Sequence, residues 1–136
     1  MSDITQTSAN VKAMTGSTVS QHVAGATIVA GNLVYLDTGD GNKAKTCMTT
    51  TAATALCKGV AINNADDTDL LFILTAGDCD IGGTTVKGTV YTVADNAGKI
   101  RPNADNASGD FVTTIGVADG TTGVINISID PTGVAV

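Results

Sequence analysis

Past Gly25 the apolar residues of this chain fall in short runs of about four to eight, separated by Gly, Asn and Asp. Such runs fit strands joined by tight turns and are too short for most helices. They predict strands over residues 27–29, 33–37, 43–47, 57–63, 70–75, 89–94, 99–101, 111–118 and 124–130. The last has the plainest alternation: Ile125, Ile127 and Ile129 share one face, with Asn126, Ser128 and Asp130 on the other. The isoleucines are therefore expected in the core. Asp40-Gly41, Ala97-Gly98 and Asp119-Gly120 supply residues that tolerate positive φ, as hairpins require. Residues 49–56 (TTTAATAL) alone have helical character, and their threonines weaken it, so a loop or one or two turns is expected.

The strand region repeats itself. Gly31 and Gly88 lie 57 positions apart, and each opens a strand containing Val-Tyr, at Val34-Tyr35 and Val90-Tyr91. Gly59-Val60-Ala61 matches Gly116-Val117-Ala118 at the same spacing, and closing glycines follow at Gly77 and Gly133. Two units of about four strands, over 25–81 and 82–136, would cover each other's apolar faces in a small barrel or sandwich. Either duplication or a shared turn grammar accounts for the match. The fold class is all-β.

Residues 1–24 differ: they are rich in Ser, Thr and Gln, and Val11, Met14, Val19 and Val23 follow no sustained period. Such a stretch buries too little apolar surface to offset its ordering entropy without a partner. The expectation is an extended N-terminal arm, or simply a frayed end, ahead of one β domain at 25–136. At 136 residues the length suits a single core.

Composition narrows the function. The chain is 43% hydrophobic, 3% aromatic and 15% charged, so the core must be aliphatic and the surface neutral, polar and rich in turns. A net charge of -6 with only 7 Lys and Arg argues against nucleic-acid binding, which relies on neutralising phosphates. No apolar run approaches the roughly 18–20 residues of a membrane span. The start MSDITQTSANVKAMTG lacks the charged and apolar regions of a signal peptide, so the expectation is a protein made in the cytoplasm.

Candidate chemistry is sparse. His22, the only histidine, lies in the arm, away from any strand scaffold for a triad. Every acid is an aspartate, and most fall in turns: Asp37 and Asp40; Asp66, Asp67 and Asp69; Asp78 and Asp80; Asp105 and Asp110. DTGDGN and NADDTD miss the alternating ligands and distant Glu of an EF-hand, so bonding to their own turn backbones is the expected role. GDGN and IGGTT have no helix after them to cradle a phosphate and read as hairpins. Cys47, Cys57 and Cys79 show no C-x-x-C spacing and read as reduced, buried residues, with Lys58 beside Cys57 the one hint of activation. No catalytic, cofactor-binding or metal-binding residue is assigned, no cofactor is expected, and the chain is not read as an enzyme.

Residues 86–129, VKGTVYTVADNAGKIRPNADNASGDFVTTIGVADGTTGVINISI, resemble a module recurrent in phage structural proteins. The earlier AGATIVAGNLVYLDTGDGNKAKT, KGVAINNADD and LLFILTAG are similar to the capsid decoration, or head cement, proteins of tailed bacteriophages. The resemblance implies a small β-barrel or β-tulip on the outer surface of an expanded capsid. It further implies a homotrimer bound to the major capsid protein, with an arm over neighbouring subunits, located in the virion and without catalytic residues. Two other classes fit the residues: another phage component, such as a tail or head-fibre piece, or a carbohydrate- or calcium-binding β module. Against the module, the aromatics Tyr35, Phe72, Tyr91 and Phe111 all fall inside apolar strands, not where sugars stack.

Overall fold

The computed structural model describes residues 3–136. Strand takes 46% of the chain and helix 10%, the strand-dominated content that the apolar runs predict. Two strands in the N-terminal segment, β1 (Lys12–Ala13) and β2 (Thr18–Val23), precede two groups of four. The first group is β3 (Leu33–Asp37), β4 (Lys43–Thr46), β5 (Gly59–Ala61) and β6 (Leu70–Asp80). The second is β7 (Val90–Val93), β8 (Ile100–Pro102), β9 (Phe111–Ala118) and β10 (Val124–Ala135). The helical turn in residues 49–56 is α1 (Ala52–Ala55), and the Thr51 hydroxyl caps it by accepting from the Thr54 amide at 3.1 Å.

Both groups are wired alike. In each, the first strand pairs antiparallel with the second on one edge and the third on the other, and the fourth pairs with the third. The sheet order β4-β3-β5-β6-β10-β9-β7-β8 is thus symmetric about the β6–β10 pair, in a curled antiparallel half-barrel. The register corrects one detail of the sequence match. Val34 lies opposite Gly59 and Tyr91 lies opposite Gly116, so Val34 corresponds to Tyr91 and the two Val-Tyr pairs are one residue out of step.

The middle glycines show why the pattern recurs. A Cβ on Gly59 would sit 2.1 Å from the Leu74 carbonyl oxygen, and one on Gly116 would sit 2.0 Å from that of Asn126. At both places only glycine lets the third strand lie against the fourth.

Residues 3–24 correct the expectation of an arm. The segment is extended but lies on the body: β2 pairs along Leu70–Ala76 of β6, and β1 pairs with Cys79 and Asp80. Ala76 faces Thr18 on one side and Ser128 on the other, so the segment covers the β6 edge opposite β10. The segment then reaches the outer strand of each group at equivalent positions. The Gly25 amide donates to the Ala44 carbonyl of β4, and the Ile4 amide donates to the Ile100 carbonyl of β8, both at 2.8 Å. Ala44 pairs with Leu36 as Ile100 pairs with Val93. One segment thereby closes both curled groups.

Two aliphatic cores result. One gathers Leu33, Val60, Leu74, Ile81, Val93, Ile100, Ile115, Ile125 and Ile127. The other lies on the opposite face of the first group, among Ala24, Ile28, Val34, Ala44, Ala61, Leu71 and Ile73. Ile125 and Ile127 are buried as the alternation predicts, whereas Ile129 is half-buried because a register shift between Ile127 and Asp130 disturbs the strand. Residues 27–29 form no strand; Ile28 makes one isolated bridge to Ala65. Strand β6 runs on to Asp80 past Ala76-Gly77, since Gly77 at φ +97° absorbs the irregularity within the strand.

Candidate functional site

A set of long-range polar contacts holds residues 3–7, a strap that lies in a slot between β8 and the end of β6. Besides the Ile4 bond, the Thr7 amide donates to the Gly82 carbonyl at 2.7 Å. The Gln6 side-chain amide donates to two carbonyls at once, Gly31 at 3.0 Å and Ile81 at 2.8 Å. Ile4 packs on the main core, and the Asp3 carboxylate accepts from the Asn96 side chain at 2.8 Å. The floor of the slot is glycine. A Cβ on Gly82 would come within 2.4 Å of the Thr7 carbonyl oxygen, and one on Gly83 within 2.5 Å of the Ile4 side chain. IGGTT, read from sequence as a hairpin, is the surface on which the strap rests.

Open polar grooves flank the strap. One, of about 660 Å³, is lined by Thr5, Thr7, Asn10, Lys12, Asp80 and Gly83. The other, of about 560 Å³, is lined by Asp3, Thr5, Gln6, Asn96, Lys99 and Arg101.

Beside the second groove sits a cluster that the sequence reading missed. Arg101, the chain's only arginine, is 6% exposed and holds Asp95 at 3.0 Å and Asp110 at 2.7 Å. Its Nε also donates to Asn106 at 3.0 Å. The Thr49 hydroxyl donates to Asp95, and the Phe111 amide donates to the Thr49 carbonyl, so the loop after β4 is tied to β8 and β9. These bonds hold the Asp95 carboxyl below its usual range, Thr49 contributing most and Arg101 next. Burial lowers the Arg101 pKa, but Asp95 and Asp110 outweigh it and the guanidinium stays above its ordinary value. The signal available in sequence was a lone arginine in a strand of an otherwise lysine-based chain.

The first group has a counterpart. Lys45, at the hairpin position equivalent to Arg101, meets Asp37 at 2.8 Å and Asp40 at 3.2 Å. Its bond to Asp37, with the Gly39 amide, holds that carboxyl low. Other carboxylates serve turns as expected: Asp69 accepts from the Asp66 amide, Asp80 from Gly82, and Asp110 from Ala107.

The remaining candidates are dispersed. His22 Nε2 bonds the Ser20 hydroxyl at 2.8 Å on β2, and burial, then the nearby Lys58 charge, lowers its pKa. All three cysteines are buried and free. Burial pushes the Cys47 thiol well up, with neighbouring Cys57 adding to it, and burial followed by Asp80 raises Cys79 to about 12. Phe72, expected inside its strand, is 39% exposed on the outer face of β6, while Tyr91 is buried and its hydroxyl accepts from the Val86 amide. Among the described residues no three His, Cys, Asp or Glu side chains stand where they could hold a metal ion, and no helix is long and apolar enough to cross a membrane.

No family model, curated protein or solved structure matches the chain.

Proposed function

We propose that this chain is a structural virion protein that binds the outer surface of a tailed-phage capsid and reinforces it. One observation carries the reading: the two segments that resemble phage structural proteins coincide with the two four-strand groups, β3–β6 and β7–β10. The resemblance therefore follows the architecture and is not scattered through loops. The chemistry is compatible with a structural role. The thiols are buried, the only arginine ties three segments together, and the N-terminal segment clasps both groups. The partner is the major capsid protein, and the chain acts as a homo-oligomer.

The test is to purify the tailed-phage particles encoded with this sequence on a density gradient and measure the chain's copy number and position. A copy number commensurate with the capsid lattice, with the chain exposed to antibody on the head, is the expected result. Stripping it should lower the temperature at which the particle releases DNA. Absence from purified particles, or confinement to the tail or to fibres, overturns the reading.

A further inference from the structure

We propose that the slot between β8 and Gly82 is a strand-acceptor site that takes residues 3–7 of a second copy of this chain in exchange for its own. The occupant is identified by what the slot reads. It offers the Ile100 and Gly82 carbonyls to two amides three residues apart, a core surface to an aliphatic side chain at the first, and two further carbonyls to the Gln6 amide. The glycine floor lets the strap lie close, with the Thr7 carbonyl over Gly82 and the Ile4 side chain over Gly83. An extended peptide with an aliphatic residue and a glutamine two positions later meets all of these demands, and every copy carries that peptide at its N-terminus.

The strap is also the part of the clasp able to leave. Strand β2 is held by a six-residue ladder to β6, whereas the strap keeps two backbone bonds, the Gln6 side-chain amide and the Asp3–Asn96 bond. Open grooves of about 660 and 560 Å³ lie on either side of it, so withdrawal displaces no other element. Between the strap and β1 the chain passes one turn, Ser8–Asn10, that buries none of its residues. That linker can redirect the strap while β2 stays paired. In the free chain the tethered strap wins, because tethering gives it an effective concentration of about millimolar. A high local concentration of copies makes the second copy competitive. This inference stands apart from the capsid reading, since it concerns only copies of the chain.

The test uses the full-length chain with Ile4→Asp and Gln6→Ala, which weaken its own strap, and a synthetic peptide of residues 1–7 as the probe. The peptide is expected to bind this variant at least about ten-fold more tightly than it binds the wild-type chain, whose slot is filled. A peptide carrying Gln6→Ala should bind at least about ten-fold more weakly. Hydrogen exchange monitors β2 in the same samples. Protected β2 amides without peptide binding overturn the proposal. Loss of β2 protection in the variant overturns it too, because the strap is then inseparable from the clasp. Equal binding of the Gln6→Ala peptide shows a non-specific groove and also overturns it.

Discussion

Substituting alanine at Gly59 and, separately, at Gly116 tests the two-unit architecture directly. In each case the added methyl meets a backbone carbonyl of the next strand, at 2.1 Å from Leu74 or 2.0 Å from Asn126. Ordinary contact needs more than 3 Å, and a backbone atom has no rotamer to turn away, so the strands must part by about 1 Å. That displacement weakens the Val60–Leu74 and Val117–Asn126 pairings beside it. Overpacking relieved by side chains costs about 1–3 kcal/mol; with a rigid neighbour and a damaged ladder we expect about 3–5 kcal/mol at each site. For a domain of this size that lowers Tm by about 10–20 °C. Gly41→Ala is the control: at φ +64° with nothing within 4 Å, it should cost only the conformational penalty of about 1–2 kcal/mol. Thermal melts followed by circular dichroism measure all three. If Gly59→Ala melts like Gly41→Ala, or if Gly116→Ala is tolerated while Gly59→Ala is not, the equivalence of the two groups is wrong.

Ile127→Ala should cost about 2–5 kcal/mol by denaturant titration, and Ile129→Ala clearly less, because Ile129 packs against the main core but is only half-buried; equal losses would mean that Ile129 is covered as fully as Ile127. Cys47, Cys57 and Cys79 should react with a thiol reagent only after denaturation without reductant, all three then being modified; a mass two hydrogens lower than the reduced chain would contradict the free thiols. Acid should act in two stages. His22 has a lowered pKa in the fold, so stability is full above its ordinary 6.5 and declines as pH falls through the lowered value. Asp37 and Asp95, also lowered, add stability above the ordinary 3.8 that is lost below it. His22→Gln should remove the first decline in pH-dependent melts and leave the second.

Much of the β grammar was legible because it is local. Strand-length apolar runs, Asp-Gly turns and the Ile125, Ile127 alternation each depend on neighbours in sequence, and they lie where the pattern put them except at residues 27–29, where Ile28 makes only an isolated bridge. The repeat was visible through Gly31, Gly59, Gly88 and Gly116, whose 57-residue spacing the pairing keeps. The Val-Tyr match misled by one residue, since a recurring dipeptide carries no information about which carbonyl it will face. Phe72 failed for a related reason. An apolar run predicts a strand, but the faces covered are decided by what packs there: Leu74 is covered by the main core, while Leu70 and Phe72 on the same face of β6 meet solvent.

The N-terminal segment marks where local reading runs out. Judged alone, residues 3–24 have no period and little to bury, so entropy argues for an arm. What holds them is set by residues far away: the open edge of β6, the carbonyls of Ala44 and Ile100, and the bare backbone at Gly82 and Gly83. None of these is recognisable as an acceptor until the two groups have formed. An uncovered β6 edge is also a liability for aggregation, and covering it ties the segment's retention to stability. A chain beginning at Gly25 loses the β2 ladder, the Gln6 bonds and the buried Val11 and Ala24 together. At about 0.5–1.5 kcal/mol for each net hydrogen bond, that predicts a fall of more than 10 °C in Tm. A melt unchanged by the truncation would return the segment to the status of a loose arm, and with it the clasp that joins the two groups.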